Sequence, residues 1–481
     1  MKLEQLCIEK ELEYWKIPGM SIGLYADGKT LLCRGEGIAD LNSGAKADEH
    51  TLFCIASCTK AFTATIALML QKEKLLDFME PVTKYLPGLK LKDPVAAKAI
   101  SLRDMLTHVS GLPGHDFMWP YYDISEEEFI SRVGELEYSE AFRTKAQYNN
   151  VMYILAGIVE EKVSGKRWGE LVREKIFEPL GMKESFVSIE EAQRRDPQHL
   201  AKGYLYHDGE ITQLDPIAPG ERASGSLVIS AADMMKWLRF QLDGLDKDGK
   251  QLLTMEELAF LHTPQIIFGE KDHLFEQDRL PILYGYGWFI REYRNLKVIY
   301  HHGGTLGFCS LQMIIPEKNM ALTVLINAHG IAEMFTDAIL FPLVDQLFFG
   351  EDTWQEWREK YHREWKSTDH FVDRMGMYGT REKEVTCDES VLCGTYKSSA
   401  YGNVVIEKKE SGLSLRFKSF DVRLEKWNRN EQQVVFCAKE LIADTEIYTL
   451  PVVINEQGKW LEIPLEEKTP AIRFEKVVTR I

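Results

Sequence analysis

Ser57-Cys58-Thr59-Lys60 runs directly into Ala61-Phe62-Thr63-Ala64-Thr65-Ile66-Ala67-Leu68-Met69-Leu70, and this stretch decides how the chain is read. The segment after Lys60 is too apolar for a surface helix and reads as one buried in a domain core. Residues three apart share a helix face, so the Lys60 amine can lie beside the Ser57 hydroxyl. A serine is a poor nucleophile until a base takes its proton, and a lysine desolvated by burial can serve as one. Ser-x-x-Lys alone arises by chance about once in every few hundred residues, so companion motifs must decide.

Two companions follow in order. Tyr148-Asn149-Asn150 opens a second apolar segment, Val151-Met152-Tyr153-Ile154-Leu155-Ala156-Gly157-Ile158-Val159, and therefore sits at a helix entrance. A tyrosine there can hold a phenolate if cations surround it, because nearby positive charge lowers a phenol pKa. Further on, His302-Gly303-Gly304-Thr305 follows the strand-like Leu296-Lys297-Val298-Ile299-Tyr300, with Leu311-Gln312-Met313-Ile314-Ile315 as the next strand. Glycines on a strand mark a place where something approaches the backbone closely.

With these three motifs in this order, the chain resembles the serine β-lactamase and penicillin-binding-protein superfamily, in its branch of class C β-lactamases, D-aminopeptidases, DD-carboxypeptidases and esterases. Ile17-Pro18-Gly19-Met20, Ser101-Leu102-Arg103-Asp104-Met105-Leu106-Thr107-His108, Pro179-Leu180-Gly181-Met182 and Ala223-Ser224-Gly225-Ser226 support the likeness through about residue 345. The resemblance implies that Ser57 attacks a carbonyl, Lys60 manages its proton, and Tyr148 acts as general base and then as acid to the leaving group. It implies that Asn150 binds the substrate amide or orients Lys60, that His302 stands in for the lysine of the Lys-Thr-Gly motif, and that Gly304 keeps the strand open to substrate. The oxyanion hole would come from the backbone N–H groups of Ser57 and Thr305.

One departure bears on substrate. An imidazole mostly neutral at pH 7 replaces a permanent ammonium, which disfavours a free substrate carboxylate as anchor and resembles D-aminopeptidases, amidases and esterases more than efficient β-lactamases. Cys58, beside the nucleophile but turned about a hundred degrees around the helix, is expected to be a small buried filler.

The 481 residues suggest about three domain-sized units, and a net charge of −16, with 74 acidic against 58 basic residues, argues against nucleic acid or an anionic membrane as partner. The N-terminal stretch from Met1 to Trp15 alternates charge with apolar residues, reads as an amphipathic helix rather than an export signal, and points to a cytoplasmic enzyme. No apolar run approaches a membrane span. The eight cysteines contain no C-x-x-C pair and are expected to be reduced thiols; no metal and no cofactor are expected. A small molecule is the expected partner, and self-association stays open.

The expected fold class is α+β: an antiparallel sheet flanked by helices in a three-layer sandwich, plus a small all-β barrel. A hairpin from Ser21 to Gly37 turns at Asp27-Gly28, and a mostly helical block runs from Leu75 to Asp243. Strands from Tyr284 to Ala328 complete the sheet, and a closing helix spans Ile331 to Phe349. This gives a hydrolase domain at 1–349. A helical linker at 350–385 carries an aromatic stripe (Trp354, Trp357, Tyr361, Trp365) that docks on the enzyme. From about 386 to 481 come short, evenly spaced strands, with a hairpin turn at Glu410-Ser411-Gly412, resembling the lipocalin-like barrels appended to some serine hydrolases of this superfamily. Such a barrel could cap the cleft.

The preferred reading is a serine hydrolase of small amides, short peptides or esters, above all an aminopeptidase or amidase acting on short peptides or D-amino-acid derivatives. The alternatives are a β-lactamase or DD-carboxypeptidase, a carboxylesterase or transesterase, and a non-catalytic binding protein on the same scaffold. Loops from Leu112 to Tyr122 and from Pro264 to Pro281 are expected to set specificity.

Overall fold

The computed structural model describes residues 8–118, 124–207, 209–214, 222–269, 280–367, 375, 379–410, 412–418, 420–430, 432–442 and 445–478. Residues 1–7, 119–122 and 270–279, on which parts of the N-terminal and specificity-loop readings fall, and Ser411 of the expected turn, lie outside the described residues.

A nine-stranded sheet organises the larger part of the chain. Its strands are β1 (Gly19–Ala26), β2 (Lys29–Asp40), β3 (Ala45–Lys46), β4 (Ile266–Ile267), β5 (Leu283–Tyr284), β6 (Phe289–Tyr293), β7 (Leu296–Thr305), β8 (Phe308–Ile315) and β9 (Met320–Ile326). They lie in the order β3-β2-β1-β9-β8-β7-β6-β5-β4, every neighbouring pair antiparallel. The opening hairpin turns where its dipeptide says it should. Asp27 and Gly28 both take positive φ, 53° and 77°, the twist that a two-residue turn needs to match its strands.

Alternation along the central strands buries both faces. Met20, Ile22, Leu24, Met313, Leu322 and Val324 pack with the helices α1 (Ile8–Trp15), α5 (Phe335–Phe348) and α6 (Trp354–Ser367) on one side. Ile299, Ile314, Ala321 and Leu325 face the core that contains α2 (Thr59–Lys72), α3 (Asn150–Ser164) and α4 (Ala231–Asp243). The result is three layers. On α6, Trp357 and Tyr361 of the aromatic stripe are buried in the outer layer, with Trp357 Nε1 donating to Asp345 Oδ2 at 3.1 Å.

The block from Leu75 to Asp243 is less helical than its sequence suggested. It contains the hairpin Gly203–His207 with Glu210–Leu214, and Val228–Ser230 pairs with both Leu52–Cys54 and Ser185–Phe186. Asp208-Gly209 between alternating residues was a usable hairpin signal; the two- and three-residue strands are too short to leave a period.

The C-terminal strands Gly394–Ser398, Gly402–Lys409, Gly412–Phe417, Phe420–Arg429, Gln433–Ile442, Thr445–Asn455, Trp460–Ile463 and Ile472–Lys476 close into an eight-stranded barrel. Closure leaves no open sheet edge, which a strand-rich unit of this size otherwise has to protect.

Candidate active site

Ser57 lies in a 3-10 turn, Ala56–Cys58, that continues as α2. Ala56, directly before it, takes φ 43°, a left-handed conformation that a side-chain-bearing residue holds only when its surroundings enforce it. Lys60, one turn on, is fully buried. Its Nζ donates to Ser57 Oγ at 3.0 Å, to Asn150 Oδ1 at 2.6 Å and to the Ser224 carbonyl at 2.8 Å. Burial drives its pKa down from the usual lysine range to about 7, against the upward pull of the Asp116 carboxylate. At neutral pH the amine is therefore part neutral and carries a lone pair.

Tyr148 precedes the cap of α3, where Asn149 Oδ1 accepts from the Met152 N–H at 2.9 Å. Its side chain interacts with that of Ser57, and Lys60 Nζ sits 4.7 Å from its ring centroid. The expectation of a phenolate is not met. Burial raises the Tyr148 pKa well above the ordinary phenol value, with the Ser57 contact only partly opposing it. The ring is packed against His108 (centroids 4.6 Å) and Phe289 (6.4 Å), surroundings that disfavour the charged phenolate.

Asn150, the first residue of α3, reaches Lys60 with its carbonyl and donates from Nδ2 to Asp116 Oδ1 at 2.9 Å. Of the two roles expected for Asn150, the geometry is that of orienting Lys60. Asp116 and the Ser224 carbonyl were not among the sequence candidates.

The strand motif needs three corrections of placement. Adjacent residues of β7 point to opposite faces, and it is His301, not His302, that turns toward Lys60 and Tyr148. The ring of His301 lies 6.1 Å from Tyr148, its Nδ1 donates to the His302 carbonyl at 2.6 Å, and its Nε2 meets Tyr284 OH at 3.2 Å. Burial holds it well below the usual histidine pKa, and so neutral. His302 points to the other face, where its Nε2 lies 2.8 Å from Asp337 Oδ1 on α5.

Gly303 is the glycine that lets the strand approach the Ser57 turn: a Cβ there would stand 2.1 Å from the Ile55 carbonyl oxygen, whereas one on Gly304 would meet nothing within 4 Å. Thr305 closes the two-residue hairpin opposite Phe308, so its N–H points into the β7–β8 ladder. By alternation Gly304 turns its N–H to the opposite edge. Pairing with β6 ends at Phe289 and Tyr300, which leaves that edge open beside the Ser57 turn among the described residues. Cys58 is buried, its thiol donating to the His301 carbonyl at 3.1 Å and pushed up to about 12 by desolvation, as a filler should be.

A serine hydroxyl held beside a buried lysine amine on this mixed α+β fold is the arrangement of a serine hydrolase. The beta-lactamase family profile matches residues 8–341, and the chain belongs to that family. It is 28% identical over 377 residues to the unguisins hydrolase ungD' of Aspergillus campestris, an alignment covering 75% of this chain and 68% of that protein. Among solved structures, an octameric penicillin-binding protein homologue from Pyrococcus abyssi is alike over 98% of both chains, with TM-score 0.60 and 22% identity. A D-stereospecific amidohydrolase from Streptomyces is alike over 65% of this chain and 90% of its own, with TM-score 0.53 and 22% identity. No described helix is long and apolar enough to cross a membrane.

Proposed function

We propose that the chain hydrolyses small amides, above all short peptides and D-amino-acid derivatives, through an acyl-enzyme on Ser57. The observation that carries this reading is the Ser57 hydroxyl held 3.0 Å from a buried Lys60 amine whose pKa has fallen to about 7. Neutral Lys60 takes the Ser57 proton as Oγ adds to the substrate carbonyl carbon. The resulting oxyanion is held by the N–H groups of Ser57 and Gly304; loss of one such donor costs about 2.7–4 kcal/mol of barrier. Tyr148, a neutral phenol in contact with Ser57, passes a proton to the departing nitrogen and is reprotonated from Lys60. Water then repeats the addition on the ester, with Lys60 again as base.

The open edge of β7 suits an extended peptide-like acyl group, which can add to it by backbone hydrogen bonds. Neutral His301 offers a substrate carboxylate no fixed charge, which favours amide or ester substrates over those anchored by a terminal carboxylate. A named hydrolase of unguisins and a named D-stereospecific amidohydrolase among the similar proteins support the same direction. A panel of L- and D-aminoacyl nitroanilides, simple esters and a chromogenic cephalosporin should show fastest turnover on aminoacyl amides, with preference for the D series. Turnover confined to esters, or fastest on the cephalosporin, contradicts this reading.

The two histidines separate cleanly by assay. His301→Ala removes packing beside Tyr148 and is expected to lower kcat/KM by about 10–100-fold, the scale of a small misplacement of catalytic groups. His302→Ala leaves the Asp337 carboxylate short of a donor, and should cost about 1–2 kcal/mol in thermal unfolding with kcat/KM near wild type. The reverse pattern would put His302 in the site.

A further inference from the structure

The loop that supplies Asp116 is held from the C-terminal barrel. His115 is buried and takes φ 48°, a strained left-handed conformation for a residue with a side chain. Three contacts enforce it. The His115 N–H donates to Glu466 Oε2 at 2.8 Å, Nδ1 lies 2.6 Å from Tyr401 OH, and Nε2 lies 2.9 Å from the Glu137 carbonyl. Two of those partners, Glu466 and Tyr401, belong to the barrel. One residue beyond Asp116, Phe117 enters the barrel's apolar interior beside Leu415, Phe417, Phe420 and Val452, its ring 6.4 Å from that of Phe420.

About 40 Å³ remains unfilled there, far below the roughly 300 Å³ at which small-ligand pockets begin. This end of the interior is therefore filled by Phe117, apart from the larger cavity of about 570 Å³ lined by Leu413, Leu424 and Phe436. With His115 pinned on one side and Phe117 seated on the other, Asp116 has little freedom. Its carboxylate meets Asn150 Nδ2 at 2.9 Å, and Asn150 holds Lys60.

We propose that the C-terminal barrel is a positioning element of the active site: by seating Phe117 and fixing His115 through Glu466 and Tyr401, it holds Asp116 against Asn150 and so sets the state of Lys60. This rests on the Ser57 hydrolase reading. Lys60 is faced by the rings of Tyr148 and Tyr153 and by the titratable groups of Asp116, Cys58, His108 and His301. Of these, the Asp116 carboxylate has the largest upward influence on Lys60. Releasing the loop should therefore let Lys60 lose its proton at lower pH.

The test is the rate at which a fluorophosphonate labels Ser57, followed against pH in the full-length protein and in Asp116→Asn, Phe117→Ala, Phe117→Leu and Glu466→Gln. Asp116→Asn and Phe117→Ala are expected to move the acid limb to lower pH and to slow labelling at pH 8 by about 10–100-fold. Glu466→Gln and Phe117→Leu, which keep side-chain bulk and guard against loss of folding, should move the limb the same way by less. A limb that moves in Asp116→Asn and stays put in both Phe117 variants and Glu466→Gln, with only the unfolding temperature lowered, overturns the proposal. So does a limb unmoved in Asp116→Asn. Wild type that labels with the expected limb isolates such a failure to the barrel, whereas wild type that does not label at Ser57 removes the hydrolase reading and this proposal together.

Discussion

Ser57→Ala is expected to reduce turnover of the best amide substrate by about 10⁴–10⁶-fold, the scale found when a serine nucleophile is deleted. Lys60 and Tyr148 converge on one oxygen, the Ser57 hydroxyl, and without it no covalent intermediate forms. Ser57 sits in a turn enforced by Ala56 at φ 43°, and replacing Oγ by hydrogen leaves that backbone unchanged. The variant should therefore unfold at or near the wild-type temperature. A residual rate within tenfold of wild type would show that the reaction does not pass through Ser57.

Lys60→Met should be nearly as damaging, at about 10²–10⁴-fold, the usual contribution of a positioned proton-transfer group. Methionine keeps the length and apolar stem of the side chain and removes only the amine. With Lys60 as the proposed base, the same amine should set the wild-type pH profile. Because burial lowers the Lys60 pKa from its ordinary value to about 7, the protonated, inactive form dominates below that pH and the neutral base above it. Activity should thus rise from about pH 6 and level off near pH 8. The Tyr148 pKa is raised, so no phenol ionisation should add a further increase before pH 9. A profile flat from pH 5 to 9 would remove Lys60 from the base role; one still climbing steeply at pH 9 would return that role to the phenol.

Much of this arrangement was legible because it is written in period and caps. The apolar run after Lys60 and the Asn149 cap after Tyr148 placed Lys60 and Tyr148 at two helix entrances, and the two side chains come together beside Ser57. The Asp27-Gly28 turn fixed the first hairpin in the same way. The choice between His301 and His302 was not legible from motif alone, since neighbouring strand residues face opposite ways and a shift of one exchanges them. The signal lay downstream: counting back from Thr305 and Phe308, which close the Leu306-Gly307 turn, assigns Gly304 to the open edge, and the packed Gly303 marks His301's face.

Asp116 and the Ser224 carbonyl left no pattern at all. The first opens a single 3-10 turn, Asp116–Met118, too short to leave a period, and the second acts through a backbone oxygen that any residue supplies. Phe117 in the barrel was equally hidden, because alternation along the C-terminal strands announces a closed sheet but not what enters it.

The acyl-enzyme on Ser57 can be trapped by mixing the protein with a short D-aminoacyl ester, quenching in acid within the first turnovers, and mapping the mass adduct by peptide. The expected result is an increment equal to the acyl group on the peptide containing Ser57, localised to Ser57 itself and absent from Ser57→Ala. An adduct on neighbouring Cys58, on any other side chain, or persisting in Ser57→Ala would contradict it.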